Sequence, residues 1–255
     1  MTADRHAVLR GAAVPLGLLA AWSAAAHLGL VNSHLLVPVE RVLLVPFTDP
    51  HGRNLWPGLA ASLTRMVAGF AIGAGLGLVL GVLMGVSRTA ERMVGPSLNA
   101  VRQIALYAWI PLLTAWFGSG DLAKVAFIAL SAFFPMVLNT HDGLRAVPAP
   151  LLEVARVLRL SPVQTVRRVL LPGALPSIFI GVQLALIYAW IATVGAEYAM
   201  GLGLGVGTVL SEGREHFRMD IVIAGVLTLA LVGYGINTLF DRLFRRMLVW
   251  QPAGR

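Results

Sequence analysis

The chain has 255 residues, of which 57% are hydrophobic and 13% charged, with no cysteine and a formal net charge of +8. Soluble domains carry roughly 45–50% apolar and about 25% charged residues, so this composition excludes an ordinary aqueous globule and makes the bilayer the expected solvent. The absent cysteines exclude disulfides, thiolate metal sites and cysteine nucleophiles.

A helix needs about 20 mainly apolar residues to cross hydrocarbon. Six stretches qualify, giving an all-α polytopic membrane bundle in one domain: 12–31, 64–86, 99–117, 122–140, 177–199 and 221–240. The first follows Arg5 and Arg10 and contains small residues from Ser23 to Ala26, an arrangement shared with cleaved signal peptides. Its apolar run continues to Val31 and five spans follow, so it reads as a retained span. The segment Asn32 to Leu63 is too polar to cross, and Leu36 to Pro46 within it reads as an interfacial helix or turn.

The second span carries Gly69, Gly73, Gly77, Gly81 and Gly85 at a strict spacing of four. They line one helix face and admit a close neighbouring backbone. A nucleotide loop through Gly73, Gly75 and Gly77 is excluded, because no strand precedes them. In the third span Arg102 lies near one end, placed to snorkel, and Pro111 lies mid-span, where a kink is expected. Pro135 interrupts the fourth. Glu197, near the outer end of the fifth, is essentially the one charge inside a span. It is either part of a path or a carboxylate paired with an Arg or a buried hydroxyl of a neighbouring helix. Gly201, Gly203, Gly205 and Gly207 then form an outer turn, without the Lys-Ser/Thr of a phosphate loop.

Nineteen of the twenty basic residues are Arg, in short segments between apolar runs, which describes topology and not a nucleic-acid surface. With the N-terminus inside, the inner segments hold fourteen Lys/Arg and the outer ones six, Arg41, Arg53, Arg65, Lys124, Arg214 and Arg218. Both termini are therefore expected in the cytoplasm, together with the loop 141–176. Six scattered histidines offer no pair at ligand spacing and no serine sits in a nucleophile elbow, so neither a metal site nor catalysis is expected.

The loop 141–176 encodes two short helices. Pro150 suits a first helical position, and Glu153 in the first turn complements the positive helix end. Leu151, Val154 and Leu158, with Ala155 at the edge, form an apolar ridge beside Arg156 and Arg159. Such a ridge suits either a groove on another protein or a lipid surface. Ser161, Pro162 and Gln164 spell an N-cap and capping box for the second helix, which Pro172 and Pro176 end.

This loop resembles the EAA loop of ABC importer permeases: Glu-Ala-Ala, three residues, Gly, nine residues, then Ile-x-Leu-Pro. Glu153, Ala155, Leu171 and Pro172 match, Val154 and Val169 substitute, and Arg159 stands where the family has glycine. From about Leu63 to Asp220 the chain is similar to permeases of the aliphatic sulfonate, taurine and nitrate group. The resemblance runs through Ser62-Leu63-Thr64-Arg65, Gly85-Val86-Ser87-Arg88 with Glu91, Trp109-Ile110-Pro111-Leu112, Trp116-Phe117-Gly118, Leu171-Pro172-Gly173 and Ala196-Glu197. Ala105 departs from a proline common in the group.

The resemblance implies a type I (MetI-like) permease fold and a multi-pass protein of the bacterial inner membrane, surrounded by lipid. It also implies a second permease copy, two ATPase subunits and a soluble binding protein as partners. The chain has no Gly-x-x-x-x-Gly-Lys-Ser/Thr, so ATP and Mg would be bound by the ATPase partner and no cofactor by this chain. Glu153, Val154, Ala155, Arg156, Leu158, Arg159, Ser161, Leu171 and Pro172 would receive the ATPase. Trp109, Trp116, Asn139, Gln183, Trp190 and Glu197 are candidates for the translocation path of a small anion. A channel or secondary carrier without an ATPase is the rival reading, and an intramembrane enzyme a weaker one.

Overall fold

The computed structural model describes residues 14, 17–28 and 37–247, with side chains through residue 244. All regular structure among these is helical. Four helical runs are long and apolar enough to cross a membrane: Gly52–Val86, Asp121–Arg145, Pro162–Met200 and Met219–Phe244. They contain the second, fourth, fifth and sixth expected spans. The first lies partly outside the described residues; within it 17–27 form helix α1.

The third expected span is not one helix. It divides into α4 (Arg88–Val101), a break, a 3-10 turn (Leu106–Trp109) and α5 (Ile110–Phe117). Ser87 caps α4 by accepting from the Ala90 N–H at 3.2 Å. The break falls at Arg102–Ala105, where Ala105 is extended (φ −55°, ψ 131°). Pro111 does not kink this segment; it sits in the first turn of α5, where a missing N–H costs nothing. Pro135 does not interrupt α6 (Asp121–Arg145) either. Packing and polar side chains of neighbouring helices commonly carry a proline through a span.

The chain forms two compact units. One comprises residues 1–61 and 204–230. Here the polar segments of the sequence are ordered as α2 (Val39–Thr48), the beginning of α3 (Leu55–Val86), α10 (Val206–Glu215) and the beginning of α11 (Met219–Met247). Val42, Val45, Leu55, Val206, Val209, Ile221 and Ala224 make its core. Arg218 joins the two ends of this unit, donating to Asp49 at 2.8 Å and to Asp220 at 3.0 Å. The bond from Arg218 holds the Asp49 carboxyl below its usual range, and the bonds to Asp220 and Asp49 raise the guanidinium above its own.

The other unit comprises residues 62–203 and 231–255. Its centre is α6, packed between α3 and α9 (Leu171–Met200). The five-glycine ridge of α3 faces α6 along its whole length. A Cβ on Gly69 would stand 2.6 Å from Ile128, on Gly81 2.6 Å from Thr140 and on Gly85 2.7 Å from Leu144. Gly143 and Gly181 do the same between α6 and α9, against Ser177 at 2.5 Å and Asn139 at 2.9 Å. Without water to drive association, such close backbone packing is the main attraction between membrane helices.

Candidate functional site

The helix expected to begin at Pro150 is α7 (Ala149–Val157), with Pro150 in its first turn. Since the helix starts at Ala149, Glu153 is its fifth residue and stands exposed in the second turn, not the first. Ala155 is buried on the inner face, while Leu151, Val154 and Leu158 are exposed, as is Val157 at 82%. Arg156, Arg159 and Ser161 are exposed around them. The ridge is thus apolar, rimmed by positive charge and uncovered among the described residues.

Arg159 ends this helix in a left-handed conformation, φ 50°. Its N–H donates to Arg156 O at 2.9 Å, and that of Leu160 to Ala155 O at 3.0 Å, the two bonds of a Schellman turn. The position demands what glycine does freely. Ser161 and Gln164 then exchange the two hydrogen bonds of a capping box. The second helix is no separate element: α8 (Pro162–Thr165) runs through a π-helical turn (Val166–Leu170) into α9. The widened turn absorbs the N–H that Pro172 lacks, so Leu171 and Pro172 continue the helix instead of ending it.

Arg159→Gly is expected to stabilise the chain by about 1 kcal/mol, the left-handed penalty of a residue with a Cβ. A thermal melt in detergent checks it, with the midpoint rising by about 2 °C; a lowered midpoint contradicts the assignment of strain.

Glu197 of α9 is wholly buried and takes part in an ion-pair cluster. Arg65 Nη1 donates to it at 2.7 Å, and Ser62 Oγ lies 2.9 and 2.8 Å from its two oxygens. Arg65 also donates to Asp121 at 2.8 Å, and buried Lys124 donates to Leu202 O. Two cations and two carboxylates thus tie α3, α6 and α9 together. Sequence reasoning missed Arg65 and Lys124 as buried cations because both stand at the polar edges of their spans.

A cleft of about 480 Å³ opens beside the break between α4 and α5. Arg102, Gln103, Trp109, Ser131, Asn139 and Tyr188 are among its lining residues. Of the six path candidates it gathers only Trp109 and Asn139. Trp116 is 63% exposed elsewhere, Trp190 is buried against Gly233, Glu197 is closed in its ion pair, and Gln183 donates to Asn237 at 3.2 Å and Asp241 at 3.1 Å. Arg102 is exposed and lines the cleft.

Residues 73–249 match the family model described as the binding-protein-dependent transport system inner membrane component. The chain belongs to this family. The permease is 38% identical over 250 residues, 98% of its length and 90% of the relative's, to the putative aliphatic sulfonates transport permease SsuC of Bacillus subtilis. It is 31% identical, over 91% of its length and 86% of the relative's, to the taurine transport permease TauC of Escherichia coli. Other relatives are named for bicarbonate and nitrate. A chain from an inward-facing structure of the MetNI methionine ABC transporter shares its fold, with TM-score 0.70, 24% identity, and 78% of this chain and 99% of that one covered.

The permease is therefore a multi-pass transport subunit of an ABC importer. ATP hydrolysis belongs to a partner ATPase, and the family works with a substrate-binding protein. Two stretches of the sequence resemblance, Ser62 to Arg65 and Ala196-Glu197, meet in the buried ion pair. A third, Glu91, meets Arg145 and lies 3.4 Å from His141, joining α4 to the end of α6.

Proposed function

We propose that the permease moves a small organic anion, an aliphatic sulfonate, across the inner membrane as a homodimer with two ATPases and a soluble binding protein. Both termini and α7 face the cytoplasm in this reading. The sulfonate assignment is supported by the 38% identity to SsuC over 98% of the chain. Taurine, itself a sulfonate, fits the same chemistry and is the second reading, supported by TauC.

The observation that carries the coupling role is the uncovered ridge of α7. Leu151, Val154 and Leu158 offer an apolar knob for a cleft in the ATPase, and Arg156 and Arg159 offer charge at its rim. Glu153 stands exposed beside the ridge, Ala155 and Ser161 set the helix and its turn, and Leu171 and Pro172 lie where the helical run from the loop continues into α9. Closure of the ATPases would pull on α7, and the capping box at Ser161 would pass that pull to α9.

Glu153→Arg puts a bulky cation into this contact. In vesicles containing permease, ATPases and binding protein, uptake of labelled ethanesulfonate is expected to fall at least about tenfold while ATP hydrolysis continues, the loss typical of a disrupted interface hot spot. Unaltered coupled uptake by this variant defeats the assignment.

A further inference from the structure

We propose that Arg102, at the break between α4 and α5, is the anion-selective contact of the translocation path. The proposal rests on the reading of the chain as a permease for a small anion, and adds where the anion is recognised and by which charge.

Three observations converge on this position. The first is depth. The cleft residues Ser131 and Asn139 are the eleventh and nineteenth of the 25 residues of α6, and Tyr188 is the eighteenth of the 30 in α9. Ser131 and Tyr188 lie in the middle stretches of membrane-crossing helices, and Asn139 lies two turns further along α6. On the other wall, Leu98 of α4 shares one apolar cluster with Met84 of α3 and Val137 of α6. Arg102 lies one turn beyond Leu98 and lines the same cleft as Ser131 and Tyr188.

The second is the broken helix. Irregular backbone at membrane depth survives only where it is buried in protein or lines a watered cavity. Residues 102–105 are exposed and line the cleft. Discontinuous helices of this kind mark the binding positions of many transporters.

The third is charge. The buried cations among the described residues, Arg65 and Lys124, lie among Glu197 and Asp121. Arg102 makes no ion pair and no side-chain hydrogen bond among the described residues. The carbonyl end of α4 stabilises it at rest, and Gln103, Trp109, Asn139 and Tyr188 line the same space without adding an opposing charge. A cation in a low-dielectric cleft concentrates anions and repels cations. A sulfonate, with one fixed negative charge and three acceptor oxygens, matches a guanidinium fork.

The absence of native cysteine gives a direct test. Gln103→Cys in the assembled complex is reacted with two methanethiosulfonates of similar size, one carrying a sulfonatoethyl group and one a trimethylammonioethyl group. The ratio of their rates cancels the thiolate fraction and reads only the local field. Relative to a small free thiol, the ratio is expected to favour the anionic reagent about tenfold. Adding Arg102→Gln abolishes the preference, and Arg102→Lys keeps it. With Arg102 intact, 1 M salt brings the ratio towards that of the free thiol, a readout that needs no arginine variant.

A ratio unmoved by Arg102→Gln or by salt, or a thiol that reacts with neither reagent, overturns the proposal. Uptake of labelled ethanesulfonate by the wild-type complex separates the two layers. Sulfonate uptake with a flat ratio defeats the Arg102 contact alone; a selective ratio without sulfonate uptake defeats the substrate reading and leaves the anion-selective cleft standing.

Discussion

Replacing Glu197 by alanine is expected to cost the folded permease about 3–5 kcal/mol, the usual result of removing one partner from a buried pair. The carboxylate is 0% exposed, accepts from Arg65 at 2.7 Å and from Ser62, and lies in the field that acts on fully buried Lys124. Without it two cations face each other across the same helices with Asp121 as counter-ion, and Asp121 is 69% exposed and therefore screened. The sign of the effect comes from the charge left behind, not from the lost hydrogen bonds. Glu197→Leu combined with Arg65→Met removes one charge of each sign and is expected to recover about half of the loss. Melting midpoints in detergent for the single and double variants measure this. A double variant no more stable than Glu197→Leu alone contradicts the ion-pair account.

Gly73→Leu is expected to destabilise the permease by about 3 kcal/mol or more, beyond ordinary overpacking because the obstruction is backbone. A Cβ there would meet the Ala129 carbonyl group, 2.8 Å from its carbon and 2.9 Å from the Ala129 Cα. A side-chain neighbour can rotate away; a carbonyl in the middle of α6 cannot without opening the helix. Gly75, two residues along α3, has no atom within 4 Å of its virtual Cβ. Gly75→Leu is accordingly expected to leave the melt of the chain within about 0.5 kcal/mol, as surface changes do. Equal losses at both positions would show that α3 resents leucine everywhere, and that the ridge is not its docking face.

That contrast shows how much of the fold was legible. A spacing of four fixes a helix face, and five glycines on one face can only signal a close neighbour; the sequence could not say that the neighbour is α6. The capping box at Ser161 and Gln164 was legible because its two hydrogen bonds are local. Proline positions misled. Pro111, Pro135 and Pro172 read as a kink, an interruption and a stop, yet a helix proceeds through or from each. Tertiary packing and one π-helical turn supply what the missing N–H groups withhold. The real break falls at Arg102–Ala105, where the sequence carries no proline at all.

The candidate site divides the same way. The composition of α7 displayed its ridge, and the structure leaves that ridge uncovered. Arg159 departs from a glycine position of the family, and the backbone adopts the glycine conformation regardless, at φ 50°. The path residues were less legible, because aromatic and amide side chains inside spans carry no periodic signature. Trp190 is filled space beside Gly233, and Gln183 serves Asn237 and Asp241. Glu197 and its partners are 132 and 135 residues apart in the chain, a separation no local pattern spans. The signal that pointed to them was the resemblance at Ser62 to Arg65 and at Ala196-Glu197, which named both halves of the pair without joining them.

The most direct test of the whole account is energetic. The tagged permease is purified in mild detergent, the subunits that accompany it are identified, and accumulation of labelled ethanesulfonate is measured in vesicles with and without them. The account predicts a co-purifying ATPase, uptake that requires that ATPase, internal ATP and the external binding protein together, and no flux through the permease alone. Gradient-driven flux by the purified chain without any ATPase would contradict it.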